Sequence, residues 1–453
     1  MEHLMGITAA FLIVTSGYFI VKTRGFHLRH PRACLCAALR PRSGSGGGRA
    51  VSPLGGMLLA LAGTLGVGNI AGVATALWLG GPGAVFWMIF SGLAVMVLKY
   101  AEVLLAVRHR RVSPEGKVGG APYYISDLLG RGNHPSSGVL GRLFAGLFAL
   151  LCILNALTMG SILQVNAAAS AMQGAFGLPP LLTGIAAAGL CAAVTLGGAS
   201  RIARLTERLV PIMTIGFLIL CAAVLILRRE RLPGALRDIL KGAFSAESAG
   251  AGGLGFLLSR GLRVGVMRGL VSNEAGCGTA PMAHAAADTD SAAAQGILGM
   301  VEVFVDTVLL CSITALTILV SDTGYTAFGA DGAACARSAF TSVLGEGAGY
   351  GFAVAVLLFA LGSAFCWAHY GLTCVGYLCI RCPERGRAVR VLFLCAFCGA
   401  LAAGSVTAPD VAWNLADAAI ACMTVLNLIF LWIGRREIIA ETEAFLHRTV
   451  TKP

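Results

Sequence analysis

The chain has 453 residues, of which 57% are hydrophobic and only 12% are charged. Soluble domains carry roughly 25% charged residues, so this composition excludes an ordinary soluble protein. It also excludes disorder, because apolar residues run through the whole chain and form blocks of about twenty rather than periodic stripes. We therefore predict an all-α polytopic membrane protein that lies in a lipid bilayer.

The net charge of +12 comes from 34 Lys and Arg against 22 Asp and Glu. Basic residues collect in cytoplasmic loops, so topology accounts for the charge and no nucleic-acid partner is predicted. Most of them lie in loops that are inside when the amino terminus is outside. The positive-inside rule thus predicts a cell-membrane protein with its amino terminus outside and its carboxyl terminus in the cytoplasm. The cluster Arg228, Arg229 and Arg231 violates this rule and is interpreted as a boundary anchor.

Apolar runs near twenty residues predict about eleven transmembrane helices, which we number spans 1 to 11. They lie near 4–21, 53–78, 83–107, 141–174, 179–199, 209–227, 255–286, 294–320, 348–378, 391–407 and 410–434. The first run has no basic residues before it and no cleavage site after it, which predicts a span rather than a signal peptide.

Two spans contain stretches that are poor helices at mid-membrane depth. Several glycines and Asn69 interrupt span 2 near 63–72, and Glu274 and Pro281 lie in a small, polar stretch of span 7 at 269–281. Unpaired backbone groups in lipid cost several kcal/mol each, so an unwound stretch persists only where it lines a cavity or binds a ligand. Both spans are therefore predicted to be broken helices.

The two broken helices lie five spans apart, which indicates a 5+5 inverted repeat after one extra N-terminal helix. The predicted units are a helix with a basic cytoplasmic loop over 1–52, repeats over 53–230 and 231–434, and a cytoplasmic tail over 435–453. In this arrangement a substrate binds at the midplane, half-helix amino termini face its carboxylate, and freed carbonyls coordinate a cation.

Other functions fit the sequence less well. The run 66–71 matches a dinucleotide-binding fingerprint, but its flanks are membrane-length helices and not a strand and a helix, so no cofactor is expected. Acidic residues in the spans supply acid–base groups for an intramembrane enzyme, yet no nucleophile, base and orienting group have a recognisable spacing. A channel is the second alternative, but paired broken helices favour alternating access over a continuous pore.

Six segments of the chain resemble the alanine or glycine:cation symporter family. They are 63–85 (GTLGVGNIAGVATALWLGGPGAV), 99–107 (KYAEVLLAV), 119–125 (GGAPYYI), 201–211 (RIARLTERLVP), 272–287 (SNEAGCGTAPMAHAAA) and 299–307 (GMVEVFVDT). The resemblance implies a leucine-transporter-like fold and a symporter that imports a small neutral amino acid, alanine or glycine, with Na⁺. An H⁺-coupled transporter of the same fold is the alternative, and we expect a monomer.

The chain departs from the family pattern near the breaks. Val67 replaces a Thr, which removes a hydroxyl beside the first break. In span 9, Gly362 loses a hydroxyl, Ser363 keeps one for Na⁺, and His369 replaces a Tyr and adds a titratable group.

The candidate binding residues lie on the breaks and on spans 4 and 9. Asn69 is the best candidate for both substrate and cation, with a helix–helix hydrogen bond as the alternative. Gln164 either contacts the substrate or forms a hydrogen bond between helices. Glu274 either has a functional role in the site or holds the unwound loop by accepting hydrogen bonds from its backbone N–H groups. The substrate set is Gly66, Gly68, Asn69, Gly72, Gln164, Asn273, Glu274, Gly276, Gly278, Thr279 and Trp367. The Na⁺ set is Thr64, Gly66, Asn69, Ala71 and Ser363.

Several charged residues in the spans have no place in these sets. Glu302 and Asp306 are one turn apart on one face of span 8, which predicts that they share a proton or tie this span to a neighbouring helix. Lys99 and Glu102 are spaced for an ion pair. His284 follows the second break, where it gates the site or is solvated.

Overall fold

The computed structural model describes residues 2–39, 51–113, 116–130, 135–244 and 260–450, and nearly all of them are helical. One short antiparallel hairpin pairs Arg111–Ser113 with Gly116–Val118. Eight helices in the described ranges are long and apolar enough to cross a membrane, and shorter apolar helices lie at Pro53–Thr64, Ala71–Gly80 and Pro180–Thr195. The chain is therefore a multi-pass membrane protein, as predicted, whereas the number of eleven spans stays a prediction.

The predicted spans correspond to helices or pairs of helices. In chain order these are Glu2–Lys22, the pair Pro53–Thr64 and Ala71–Gly80, Gly83–Arg108, the pair Pro135–Leu157 and Gln164–Phe176, Pro180–Thr195, Ala199–Leu227, the pair Arg260–Asn273 and Pro281–Ala285, the pair Ala292–Val303 and Ser312–Val320, Glu346–Leu378, Pro383–Gly404 and Pro409–Ile433. Helices that were not predicted are Phe26–Arg29, Pro31–Leu39, Ala121–Gly130, Leu232–Ala243, Gly332–Leu344 and Arg435–Val450. The predicted start of span 7 at 255–259 lies outside the described residues, as do parts of the loops at 40–50 and 245–254.

Both predicted breaks are present. In span 2 the first helix ends at Thr64, the chain is extended at Gly66, and a 3₁₀ turn over Val67–Asn69 precedes the second helix. In span 7 the chain between the two half-helices includes Gly276 and Gly278, whose φ angles are 89° and 83°. Glycine adopts such angles without steric cost, so these residues let the helix unwind.

Spans 4 and 8 each contain a π-helical turn, at Thr158–Leu163 and Phe304–Cys311. The sequence predicts each of these spans only as one apolar run, because apolar periodicity gives no signal for the extra residue of a π-helical turn. Such turns are frequent at functional sites. The first lies against span 9, since a Cβ on Gly160 would lie 2.4 Å from the Trp367 Cβ atom.

Span 3 packs between the first half of span 7 and the beginning of span 8. The contact with span 7 is close, because a Cβ on Gly265 would lie 2.4 Å from the Ala84 carbonyl oxygen. The contact with span 8 is equally tight, because a Cβ on Gly296 would lie 2.7 Å from the Tyr100 ring. Small residues permit this approach of helix backbones within a membrane. Span 3 thus packs closely against both span 7 and span 8.

The basic cluster at the end of span 6 has a protein partner. The Arg231 Nη1 atom lies 2.6 Å from Asp322 Oδ1, and Arg228 contacts the same carboxylate. Asp322 lies just after span 8, so the cluster links two spans at this boundary. Asp322 is thus a partner of the basic cluster that was interpreted as a boundary anchor.

At the far end of span 3, His109 joins the span to two flanking helices. Its Nδ1 atom lies 2.9 Å from Asp127 Oδ2, and its Nε2 atom lies 3.1 Å from Glu437 Oε1. Burial by itself lowers the pKa of His109, but the hydrogen bonds to the two carboxylates and their charges outweigh burial and raise the pKa above its ordinary value. The protonated imidazole therefore stabilises the contact with the C-terminal helix.

A raised pKa in the folded state predicts a pH-dependent stability. The contribution of His109 is complete below its unfolded pKa of about 6.5 and is lost as the pH rises through the higher folded pKa. We expect the unfolding temperature of the purified protein to fall over that window, and His109→Gln to remove this part of the fall. His30→Gln, at an exposed histidine, is the matched control. Identical pH profiles for the unaltered chain and His109→Gln would contradict this assignment.

Candidate functional site

Side chains from spans 4 and 9 hold the first break. The Gln164 Oε1 atom accepts a hydrogen bond from the Val67 N–H at 3.0 Å. The Ser363 hydroxyl donates to the Gly63 carbonyl at 2.8 Å. Both side chains are buried, so they satisfy backbone groups that water cannot reach. In this conformation Gln164 therefore makes an interhelical hydrogen bond, which was the alternative to substrate binding in the sequence analysis.

The predicted Na⁺ set is only partly brought together. Gly66 lies close to Ser363, because a Cβ on Gly66 would be 3.0 Å from the Ser363 hydroxyl oxygen. The Thr64 hydroxyl stays near the carbonyls of its own helix, at 3.4 Å from the nearer one. The Ala71 carbonyl lies against Gly332, where a Cβ would be 2.1 Å from it. Ser363 and Gly66 therefore share one environment, whereas the Ala71 oxygen faces the helix Gly332–Leu344.

Asn69 reaches across to span 8. Its Nδ2 atom donates to Asp306 Oδ1 at 2.6 Å and to the Ser272 hydroxyl at 3.2 Å. The same carboxylate accepts hydrogen bonds from Ser272 at 2.6 Å and from Thr307 at 2.7 Å. The Asn69 Oδ1 atom is buried and has no hydrogen-bond partner among the residues that the structure describes. We call Asn69, Ser272, Asp306 and Thr307 the Asp306 cluster, and it confirms that Asp306 ties span 8 to its neighbours.

The second break is held partly by its own side chains. Asn273 accepts a hydrogen bond from the Ala275 N–H at 2.9 Å and donates to the Thr307 hydroxyl at 3.0 Å. Thr279 donates to Glu274 Oε2 at 2.5 Å. The Glu274 Oε1 atom is buried without a hydrogen-bond partner in the described ranges, and the residue has a φ of 53°. A non-glycine residue in this region is strained, and such strain clusters at functional sites.

The two breaks lie against each other. A Cβ on Gly68 would be 3.4 Å from the Ser272 Cα atom, which is ordinary contact distance. Gly72 lies one turn farther on, where a Cβ would be 3.2 Å from the Trp413 ring. The Trp413 ring also supports the Arg268 guanidinium at 4.1 Å, and Arg268 pairs with Asp417 at 2.8 Å. Gly72 therefore packs beside a buried ion pair at one end of the site.

Span 9 contributes aromatic side chains. Trp367 is fully buried and packs edge-on against Tyr370, with ring centroids 5.5 Å apart. The Trp367 Nε1 atom finds no hydrogen-bond partner within the described part of the chain. His369 is 9% exposed and lies six residues beyond Ser363, which is about 9 Å along the helix. The titratable group that His369 adds to span 9 therefore lies more than one helical turn from Ser363.

A second group of buried charges lies beside the second break. The Lys99 Nζ atom is 3.3 Å from Glu302 Oε1, and the His284 Nε2 atom is 2.9 Å from Glu302 Oε2. The predicted pairing of Lys99 with Glu102 was wrong, because Glu302 from span 8 takes the ammonium while Glu102 accepts a hydrogen bond from Asn427 at 2.5 Å. The solvated state considered for His284 was also wrong, since its side chain is fully buried. Glu302 thus ties three spans together.

Several residues of the site were missed in the sequence. Ser272 and Thr307 lie in segments that carry the family resemblance, but a hydroxyl in a span more often bonds its own helix and gives no separate signal. Asn427 and Arg268 are polar residues within predicted spans, and such residues are functional by default. That rule could have found both, although it does not name their partners.

The sequence profile of the sodium:alanine symporter family matches residues 2–452. The chain belongs to this family. The sodium/alanine symporter AgcS of Methanococcus maripaludis is 35% identical to this symporter over 442 residues, which cover 96% of the chain and 93% of AgcS. The probable sodium/glutamine symporter GlnT of Bacillus subtilis is 29% identical over 442 residues, which cover 96% of the chain and 88% of GlnT.

The fold agrees with that assignment. The crystal structure of MhsT in complex with L-phenylalanine matches with a TM-score of 0.58 at 16% identity, over 87% of this chain and 92% of MhsT. The predicted leucine-transporter-like fold with two broken helices is therefore confirmed. Together with the family, it identifies the protein as a cation-coupled amino acid symporter.

The environment of Gly66 predicts that the first break has no room for a side chain. A Cβ there would lie 2.6 Å from Gln164 Oε1 and 3.0 Å from the Ser363 hydroxyl, both of which hold the break. We expect Gly66→Ala to reduce amino acid uptake at least about fivefold, since overpacking costs about 1–3 kcal/mol and 1 kcal/mol corresponds to about a factor of five. Gly189→Ala, in span 5 where a Cβ meets nothing within 4 Å, is the control and should keep uptake. Normal uptake by Gly66→Ala would show that this geometry is wrong.

Proposed function

We propose that this symporter imports a small neutral amino acid, alanine or glycine, together with Na⁺ by alternating access. The observation that carries the proposal is that the two breaks and span 9 hold buried polar atoms that lack partners among the described residues, and three of these are Asn69 Oδ1, Glu274 Oε1 and Trp367 Nε1. Buried polar atoms are almost always hydrogen-bonded, so three such atoms on the two breaks and span 9 call for a polar ligand. A zwitterion and a cation together supply both donors and acceptors.

The proposed amino acid site lies where the breaks face spans 4 and 9. In it Gly66, Gly68, Gly72, Gly276 and Gly278 bring the backbone close to the substrate, and their neighbours supply polar groups. Those polar neighbours are Asn69, Gln164, Asn273, Glu274 and Thr279.

Bulky aromatic groups favour a small substrate in this proposal. Trp367 is wedged between Gly160 and Tyr370, so its indole has little freedom to move aside for a large side chain. The name of AgcS also favours alanine, whereas that of GlnT favours glutamine, so relatives differ in this respect. Alanine and glycine agree with the packing of Trp367 in this chain.

The charge balance favours a cation as the coupling partner. Four fully buried carboxyl groups, Glu102, Glu274, Glu302 and Asp306, accompany the buried ammonium of Lys99. Ionised carboxyl groups in a membrane need a compensating charge, which Na⁺ or H⁺ can supply. The Asp306 cluster offers one carboxylate and two hydroxyls, and rotation of the Asn69 amide would add its oxygen, which has no partner among the described residues. Hard cations prefer such oxygen ligands.

We place Na⁺ first at the Asp306 cluster. Ser363 with Gly66 and the Gly63 carbonyl is a second position, and Thr64 and Ala71 remain further candidates from the sequence. Proton coupling is the alternative of the same fold, because carboxyl groups take up protons as well as cations.

We further propose the arrangement in the cell membrane that the loop charges predict. The amino terminus is outside, the tail over 435–453 is cytoplasmic, and the two repeats span 53–230 and 231–434. Because the binding residues are buried in this conformation, a substrate reaches them only when the repeats move relative to each other.

Uptake by the purified protein in proteoliposomes tests this function. We expect an inward Na⁺ gradient to drive accumulation of labelled alanine, and a K⁺ gradient of the same size to leave it at background. A pH gradient without Na⁺ should also fail, which separates Na⁺ from H⁺ coupling. Internal unlabelled alanine should accelerate entry of the label, because a carrier exchanges substrate and a channel does not. Equal uptake in K⁺ and Na⁺ would contradict the proposal.

A further inference from the structure

Asn427 of span 11 reaches the second break from behind. Its side chain is fully buried, and its Nδ2 atom donates to the Gly276 carbonyl at 3.0 Å and to Glu102 Oε1 at 2.5 Å. The Gly276 carbonyl belongs to unwound chain, so it has lost the helical N–H that would otherwise satisfy it. The side chain of Asn427 thus replaces a backbone hydrogen bond.

The orientation of this amide is determined by its neighbours. A carboxylate and a carbonyl can only accept hydrogen bonds, so the Asn427 NH₂ group must face Glu102 and Gly276. The Asn427 Oδ1 atom then faces the Tyr124 hydroxyl, which donates to it. Both N–H bonds and the oxygen of the amide are therefore used, and a rotated amide would place its oxygen against two acceptors.

Asn427 also limits the shape of the break at Gly278. A Cβ on Gly278 would lie 3.1 Å from the Asn427 Cγ atom and 3.0 Å from the Phe148 ring. Gly276 and Gly278 both have positive φ, a conformation in which the backbone has several alternatives once its contacts are lost. One side chain therefore restrains both glycines of the second break.

We propose that Asn427 is a positioning residue for substrate binding, oriented by Glu102 and Tyr124. It holds the backbone of 276–278 in the shape that presents the second break to the amino acid, and it does not touch the substrate itself. The inference rests on the proposed function. It also gives a role to the segments 99–107 and 119–125, which lie apart from the breaks in sequence and contribute Glu102 and Tyr124.

Two variants test the inference at different strengths. Tyr124→Phe removes one hydroxyl and leaves the ring, and Asn427→Leu removes the amide. Cys277 lies between the two glycines and is buried, so its reaction with N-ethylmaleimide, followed by peptide mapping, reports how well the break is held. Cys221, buried in span 6, serves as an internal reference for general loosening.

We expect Tyr124→Phe to raise the labelling rate of Cys277 by about threefold to tenfold, the factor for one buried hydrogen bond, with Cys221 unchanged. The half-saturating alanine concentration should rise by a similar factor, with a smaller change in maximal rate. Asn427→Leu should have a larger effect, and adding Tyr124→Phe to it should have none, because Tyr124 acts through Asn427. Tyr123→Phe, whose ring packs on Tyr377, is the matched control.

The outcomes separate this inference from the proposed function. Equal acceleration of labelling at Cys277 and Cys221 overturns the positioning role and leaves Asn427 as a general stabilising contact. No acceleration at either cysteine also overturns it, because the contacts of Asn427 then have no measurable effect on the break. Unchanged half-saturation in Tyr124→Phe and Asn427→Leu overturns its link to the substrate. Absence of alanine uptake by the unaltered chain refutes the proposed function instead, while the Cys277 rates still decide whether Asn427 holds the break.

Discussion

The structure depends on how the backbone groups of two unwound stretches are satisfied inside a membrane. Lipid offers no hydrogen bonds, so each free N–H or carbonyl must find a partner in the protein. Gln164 and Ser363 supply those partners at the first break, and Asn273 and Asn427 supply them at the second. Because these side chains come from several spans, the conformation of each break depends on the packing of the bundle around it.

Buried side chains also join the two breaks to neighbouring spans. Glu302 joins Lys99 of span 3 to His284 in the second half of span 7, and the Asp306 cluster joins the first break to span 8. With Na⁺ at the place that we propose for it, the cation would change the partners of Asn69 and Ser272 together. Binding there would then act on both breaks, and such an effect on a second site is what coupling between two ligands requires.

Helix-breaking residues made the two breaks predictable, because glycine, proline and a charge at mid-membrane depth act locally. Family segments then indicated the fold and the transport class. Partner choice was not predictable: Lys99 has Glu102 at helical spacing, yet pairs with Glu302, which is 203 positions away. The partners of Asn427 were missed for the same reason, since Glu102, Tyr124 and Gly276 lie on other helices or on the second break.

Coupled binding of Na⁺ and alanine distinguishes a sodium-coupled symporter with Na⁺ at Asp306 from the alternatives. The affinity of the purified protein for labelled alanine is measured at equilibrium in Na⁺ and in K⁺ of equal ionic strength, for the unaltered chain, Asp306→Asn and the exposed control Asp410→Asn. We expect the alanine affinity of the unaltered chain to be at least about tenfold higher in Na⁺ than in K⁺, and alanine to raise the Na⁺ affinity by the same factor. Asp306→Asn should lose this difference and Asp410→Asn should keep it. Equal alanine affinity in the two cations, with uptake intact, would contradict this expectation.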